Sequence, residues 1–254
     1  MSKHSPAFRR GLSSIARGEK LITPIKAYLM DPAFPGFEVK VDQLGRREPD
    51  FWFHPSEHPG WSERALYLWM TQPDLLVAEP MEPTAVLSMT AGSIWHSIIG
   101  YILHDELGLV SQLEVPVESS ALRTRGKMDG LIVGGEEIYE LKTMKESRLR
   151  LMTSVEEYTR LNPTYHRQAN EYMRMSGIHQ ERVLLMSLTF PYEMKEFVIE
   201  YDHQLARETE QKYARVLQAV ADGRMPMCCG GRKESDGCPA RGICNAELAM
   251  GAVR

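Results

Sequence analysis

Apolar positions along this chain repeat with two periods, and the changes of period divide it into helices and strands. Ile94, Trp95, Ile98, Ile99, Ile102 and Leu103 recur at helical spacing, which predicts a helix over 90–104 with Thr90 as its cap. Apolar residues cover most of its circumference, so the helix should be buried. Helical spacing also marks 60–77, and Pro80 and Pro83 separate that segment from the next helix. Another helix should open at Asn162 as cap, with Pro163 in its first turn, and stop at Gly177. A long polar helix covers 203–221, and strand-like runs fall at 113–118, 182–190, 195–202 and on both sides of Gly134-Gly135. Strands interleaved with helices predict an α/β fold, a mixed central sheet flanked by helices.

The run 126–142 carries the most chemistry. A Gly-Gly pair between two strand-like runs predicts a tight hairpin whose tip residues take positive φ. With Gly134 and Gly135 at the tip, Val133 faces Glu136, and counting outward places Asp129 opposite Glu140, their Cβ atoms about 5 Å apart. Lys142 shares the face of Glu140, and Leu141 points to the other side. Two carboxylates that close raise each other's pKa unless a divalent cation sits between them. Oxygen ligands with room for water suit Mg²⁺ or Mn²⁺, and a lysine beside such an ion can orient the attacking water and offset charge on phosphoryl oxygens. A D…E-x-K pattern also occurs in strands with an ordinary solvated face.

Two helices add candidates, each with an ordinary structural explanation as well. His96 lies at the edge of the apolar arc of the 90–104 helix, where a histidine is either a structural side chain or a nitrogen ligand. Tyr165, Gln168 and Tyr172 fall on one face of the helix after Pro163, as core packing or as a surface that holds phosphate or a frayed strand.

The order of these parts, Gly92-x3-His96, Asp129, Glu140-x-Lys142 and Tyr165-x2-Gln168-x3-Tyr172, resembles the RecB-like branch of the PD-(D/E)XK nucleases over residues 60–245. The resemblance implies a restriction-endonuclease-like core and hydrolysis of DNA with Mg²⁺ or Mn²⁺, in DNA processing or recombination. By matching position it implies His96, Asp129 and Glu140 as metal ligands, Lys142 as assistant to the water, and Tyr165, Gln168 and Tyr172 as DNA contacts. An exonuclease is expected. A structure-specific endonuclease with the same site and a catalytically silent DNA-binding or assembly subunit are the alternatives.

All four cysteines, Cys228, Cys229, Cys238 and Cys244, lie near the C-terminal end. The chain shows no secretory signal and no apolar run long enough for a membrane span, so a reducing cytoplasm is expected and metal or cluster ligation is favoured over disulfides. The ending Cys238-x5-Cys244 resembles the cysteine motif of RecB-like nucleases that hold a 4Fe-4S cluster, among them the CRISPR-associated adaptation nuclease and phage relatives. It implies a cysteine-bound cap on the core. The chain departs from that pattern at Ser62 and Ser235, where the family has cysteines. Zinc is the alternative, with His54 or His58 as a nitrogen ligand.

Composition changes the picture little. The chain has 254 residues, 43% hydrophobic and 25% charged, enough for one full core with appendages. Its formal net charge of -4 means that DNA would have to meet local basic surface. Arg123, Arg125, Lys127, Lys142, Lys145, Arg148 and Arg150 offer such surface around the hairpin. Residues 1–59 read as an arm and extended leader with Arg9, Arg10, Arg17 and Lys20, which also resembles an organelle transit sequence. Residues 60–222 read as the nuclease core and 223–254 as a cysteine-rich tail. DNA is the expected partner, alongside recombination or adaptation proteins or further copies of the chain.

Overall fold

The computed structural model describes residues 19–32, 48–76, 82–190, 192–229 and 238–249. Arg9, Arg10, Arg17, Pro80 and Ser235 lie outside them.

Five strands form one mixed sheet in the order β1-β2-β3-β4-β5: β1 (Val110–Ser119), β2 (Thr124–Ile132), β3 (Ile138–Met144), β4 (Gln180–Ser187) and β5 (Met194–Glu200). Neighbours are antiparallel except β3 and β4. A parallel pair needs a crossover connection, and this one carries three helices, α4 (Glu146–Arg150), α5 (Val155–Leu161) and α6 (Pro163–Ser176). The remaining helices are α1 (Ile22–Leu29), α2 (Glu63–Thr71), α3 (Pro83–Tyr101), α7 (His203–Ala221) and α8 (Arg241–Ala249). Helices α1 and α3 share one apolar cluster with Tyr139, Leu141, Leu184 and Met186 of the sheet. The crossover helices share another with Ile138, Val183 and Leu185. Alternate residues of β3 and β4 thus enter opposite clusters, as the pleat requires, and each such fully buried side chain contributes about 1.5–3 kcal/mol.

Several elements differ from expectation for identifiable reasons. Helix α1 lies inside the segment read as an arm, yet Leu21, Ile22, Ile25 and Tyr28 are buried in the α3 cluster. Its start is held by Glu196, whose carboxylate accepts the N–H groups of Lys20, Leu21 and Ile22 at 2.8, 3.0 and 3.2 Å. Acceptance of free N–H groups by a carboxylate is favourable at a helix N-terminus. Helix α3 starts at Pro83, so Thr90 is not its cap but an interior residue whose hydroxyl donates to the Val86 carbonyl at 2.9 Å. The added turns are exposed and carry no buried stripe to announce them. The helix ends in a π turn, Ile102–Glu106. Together, Pro83–Glu106 is long and apolar enough to cross a membrane by length and composition, contrary to the sequence reading, although Ile98, Ile99, Ile102 and Leu103 pack into the core.

Strand β4 stops at Ser187, short of the expected Phe190, because Ser187 Oγ accepts the Thr189 N–H at 3.1 Å and turns the chain. Asn162 is not a side-chain cap of α6: its amide donates to the Tyr158 carbonyl at 2.8 Å. Pro163 does open the helix, and Gly177 ends it at φ 74°.

Candidate active site

The hairpin is wider at its tip than a two-residue turn. Residues 133–137 connect the strands, and the Ile132 N–H donates to the Glu137 carbonyl at 3.0 Å. Gly134 and Gly135 have φ of +108° and +75°, which glycine adopts without strain. The predicted register survives. Gly130 pairs with Tyr139 and Leu131 with Ile138, so the next positions, Asp129 and Glu140, are opposite.

Beyond Gly130 the strands fork, β2 continuing along β1 and β3 along β4. At the fork the Leu141 N–H donates to Asp129 Oδ2 at 2.8 Å. The same oxygen lies 3.2 Å from His96 Nδ1 on α3. The Lys142 ammonium donates to Glu140 Oε1 and, at 3.1 Å, to Gln168 Oε1 on α6. Gln168 returns a bond from Nε2 to Glu140 Oε1 at 3.1 Å. Lys142 Nζ also stands 4.8 Å from the centroid of the Tyr165 ring, a cation–π distance. His96, Asp129, Glu140, Lys142, Tyr165 and Gln168 therefore meet across four elements. Tyr172 is buried beside them, and a Cβ at Gly126 would come 3.0 Å from its ring.

Burial raises the Glu140 carboxyl to about 7, with the Asp129 charge adding to the effect and Lys142 opposing it. Glu140 Oε2 is buried without a hydrogen-bond partner. Burial also acts to raise Asp129, but the hydrogen bond and charge of His96, with Lys142 and the Leu141 N–H, bring it below the usual carboxylate value. Burial would lower His96, and the Asp129 hydrogen bond and charge raise it instead. For Lys142 burial pulls down and the two carboxylates prevail, so its pKa is raised. The two acids are thus shifted in opposite directions, Asp129 down and Glu140 up.

These groups line a cavity of about 750 Å³, whose wall also carries Glu114, Arg125 and Lys127. Of the expected basic surface, Arg125, Lys127 and Lys142 reach the cavity. Arg148 is bound to Asn162 Oδ1 at 2.8 Å, and Arg150 pairs with Glu146. Arg125 is oriented by Asp50, which its Nη2 meets at 2.7 Å, and by the Trp52 ring at 5.2 Å.

Three acidic residues here escaped the sequence reading. Glu114, on β1, has φ of +53° and lies on the cavity wall. Asp50 is lowered to about 2: burial opposes this, but hydrogen bonds from His54 and Arg125 prevail. Glu181 is buried on β4, and burial with the nearby Glu140 raises it well above the carboxylate range. Its signal was a carboxyl at the head of the apolar run 183–186. The other two are brought near only by chain path.

Three of the cysteines, Cys228, Cys238 and Cys244, pack elsewhere, in the cluster of α2 and α7. Cys238 and Cys244 are buried, Cys238 Sγ lies 3.2 Å from Ser62 Oγ, and Cys244 Sγ accepts from Arg64 at 3.9 Å. Cys244 is raised to about 11, by burial first and then by a hydrogen bond with Cys228. His54 is paired with Asp50 at 2.9 Å, and His58 Nδ1 accepts the His54 N–H at 2.7 Å. Among the described residues, no three His, Cys, Asp or Glu side chains are already grouped as a metal site.

No family model and no curated protein sequence matches the chain. Solved structures resemble it in fold. An alkaline exonuclease from Laribacter hongkongensis superposes with a TM-score of 0.50 at 15% identity, over 69% of this chain and 90% of that one. A phage-related exonuclease from Haemophilus somnus 129PT gives a TM-score of 0.45 at 11% identity, over 63% of this chain and 79% of that one. The chain thus shares the mixed α/β fold of the Laribacter structure.

Proposed function

We propose that the chain is a metal-dependent deoxyribonuclease that hydrolyses phosphodiester bonds and works from DNA ends. One observation carries this reading: Asp129, Glu140 and Lys142 converge at the strand fork, on the wall of a cavity that also displays Arg125 and Lys127. The exonuclease name of the Laribacter protein with this fold supports the same reaction class.

The donor set fits Mg²⁺ or Mn²⁺. Glu140 Oε2 is buried and unpartnered, Asp129 is anionic, and His96 adds a nitrogen donor. Bound there, such an ion would supply positive charge for the phosphoryl oxygens and make water a better nucleophile. Lys142, aimed by Gln168 and Glu140, donates a hydrogen bond to a water or a phosphoryl oxygen and offsets its developing charge. Arg125 and Lys127 attract backbone phosphates. A digestion panel of linear, circular, single-stranded and duplex DNA, each with and without Mn²⁺, tests the reading. Mn²⁺-dependent loss of linear DNA with circles spared is the expected result, cut circles would make the enzyme an endonuclease, and no cleavage of any substrate would count against the function.

The C-terminal cysteines are a separate proposal, an iron–sulfur cluster or zinc site that fastens the tail. It is supported by three thiols in one apolar cluster beside Arg64, two of them hydrogen-bonded to each other.

A further inference from the structure

Helix α3 presents a second kind of surface one residue from His96. The Trp95 ring lies 5.5 Å from the ring of Tyr192, which in turn lies 6.3 Å from Phe190. Tyr192 is 43% exposed and Phe190 84%, an unusual display for two aromatic rings in one β4–β5 connection. Residues on both sides of its middle are hydrogen-bonded. The Tyr192 N–H donates to the Thr189 carbonyl at 2.8 Å, and the Leu188 N–H donates to the Met144 carbonyl at 2.8 Å, two residues past Lys142 on β3. On the other side, a Cβ at Gly92 would meet Thr143 Oγ1 at 2.9 Å, so α3 rides directly against the same stretch of β3. Lys145, the residue after Met144, is exposed. The rings therefore sit beside β3, the strand that carries Glu140 and Lys142, and the exposed Lys145 follows directly after it.

We infer that Trp95, Tyr192 and Phe190 form a stacking platform for unpaired bases of a DNA strand whose backbone enters the candidate active site. This deepens the nuclease reading and rests on it. Bases within a duplex have both faces covered by their neighbours, so an open aromatic face takes an unpaired base, and it does so with little regard to sequence. Lys145 supplies a positive charge for the accompanying phosphates. The platform favours single strands or frayed ends over closed duplex as substrate.

The test titrates a single-stranded oligodeoxynucleotide carrying 2-aminopurine into the full chain without divalent ion, so that binding and stacking are read without cleavage. Phe190→Ala and Tyr192→Ala should each weaken binding by about five-fold or more and reduce the fluorescence quenching that stacking causes. Phe190→Trp should restore both. Unchanged affinity in both alanine variants, with the wild-type chain binding and cleaving DNA, overturns the platform alone. The same unchanged affinity together with loss of a concentration-dependent dimer in sedimentation assigns the rings to a second copy of the chain instead. A wild-type chain that neither binds the strand nor cleaves DNA with Mn²⁺ removes the nuclease reading and the platform together.

Discussion

The carboxylate of Asp129 accepts the main-chain N–H of Leu141, a bond that stands where the ladder between β2 and β3 has ended. One side chain therefore both supplies charge to the site and satisfies a backbone donor that the fork would leave without a partner. Substitutions that separate those two roles should have different outcomes.

Asp129→Asn keeps an oxygen acceptor for Leu141 and Glu140→Gln keeps side-chain shape, so both variants should fold. Hydrolysis of labelled DNA with Mn²⁺ should fall by at least about 100-fold in each, the scale of losing one transition-state electrostatic contact. Asp129→Ala should also cost about 1–3 kcal/mol of stability by orphaning the Leu141 N–H. Near-normal hydrolysis in the first two variants would remove these residues from the catalytic role.

Gln168 is 5% exposed and uses both ends of its amide on Lys142 and Glu140, which makes it a positioning residue here. Gln168→Ala should lower stability by about 1–3 kcal/mol and reduce kcat more than it raises KM for an oligonucleotide. A variant with unchanged thermal midpoint and a raised KM alone would return Gln168 to the DNA-contacting role that the sequence implied.

Glu140 gives the metal-free chain a signed pH dependence. Its folded pKa, about 7, lies above the ordinary value of 4.5, so the folded state binds the proton more tightly. Its contribution is complete below 4.5 and is lost as pH rises through 7. The thermal midpoint of Glu140→Gln relative to wild type should therefore increase between pH 5 and pH 8 in chelator. A constant difference across that window would show that Glu140 is not held in this way.

Gly130 sits at the fork for a steric reason. A Cβ there would lie 2.6 Å from the Gln112 carbonyl oxygen and 2.8 Å from Val110 Cγ1. The oxygen belongs to the neighbouring backbone and cannot swing away, so Gly130→Ala should destabilise by about 1–3 kcal/mol or more. Denaturant unfolding checks this, and a variant as stable as wild type would mean that β1 yields at that point.

The tail makes a chemical prediction. Protein purified without oxygen should absorb broadly near about 400 nm if thiolates bind iron, and Cys238→Ser and Cys244→Ser should bleach it. Stoichiometric zinc in a colourless preparation would select the tetrahedral site. Metal-free protein of full stability would leave the cysteines as packing groups in the α2–α7 cluster.

Local pattern was enough to derive much of this molecule. The register that sets Asp129 opposite Glu140 follows from the glycine pair and the two-residue period of a strand, and it holds although the tip is longer than expected. The same local logic places Pro163 and Gly177 at the ends of α6 and spans α7. Only the tertiary structure decided which other groups join the pair. His96 comes from a helix on one side of the sheet and Gln168 from a helix on the other, and the sequence carries no distance between them. The same holds for Glu181, which a parallel crossover delivers to the buried side of Glu140, and for α1, whose apolar residues find their partners in α3 and the sheet. Periodicity along a chain reports which face a residue occupies within its own element. Which elements then share a boundary, and which titratable groups are buried together there, depends on the path of the chain between them.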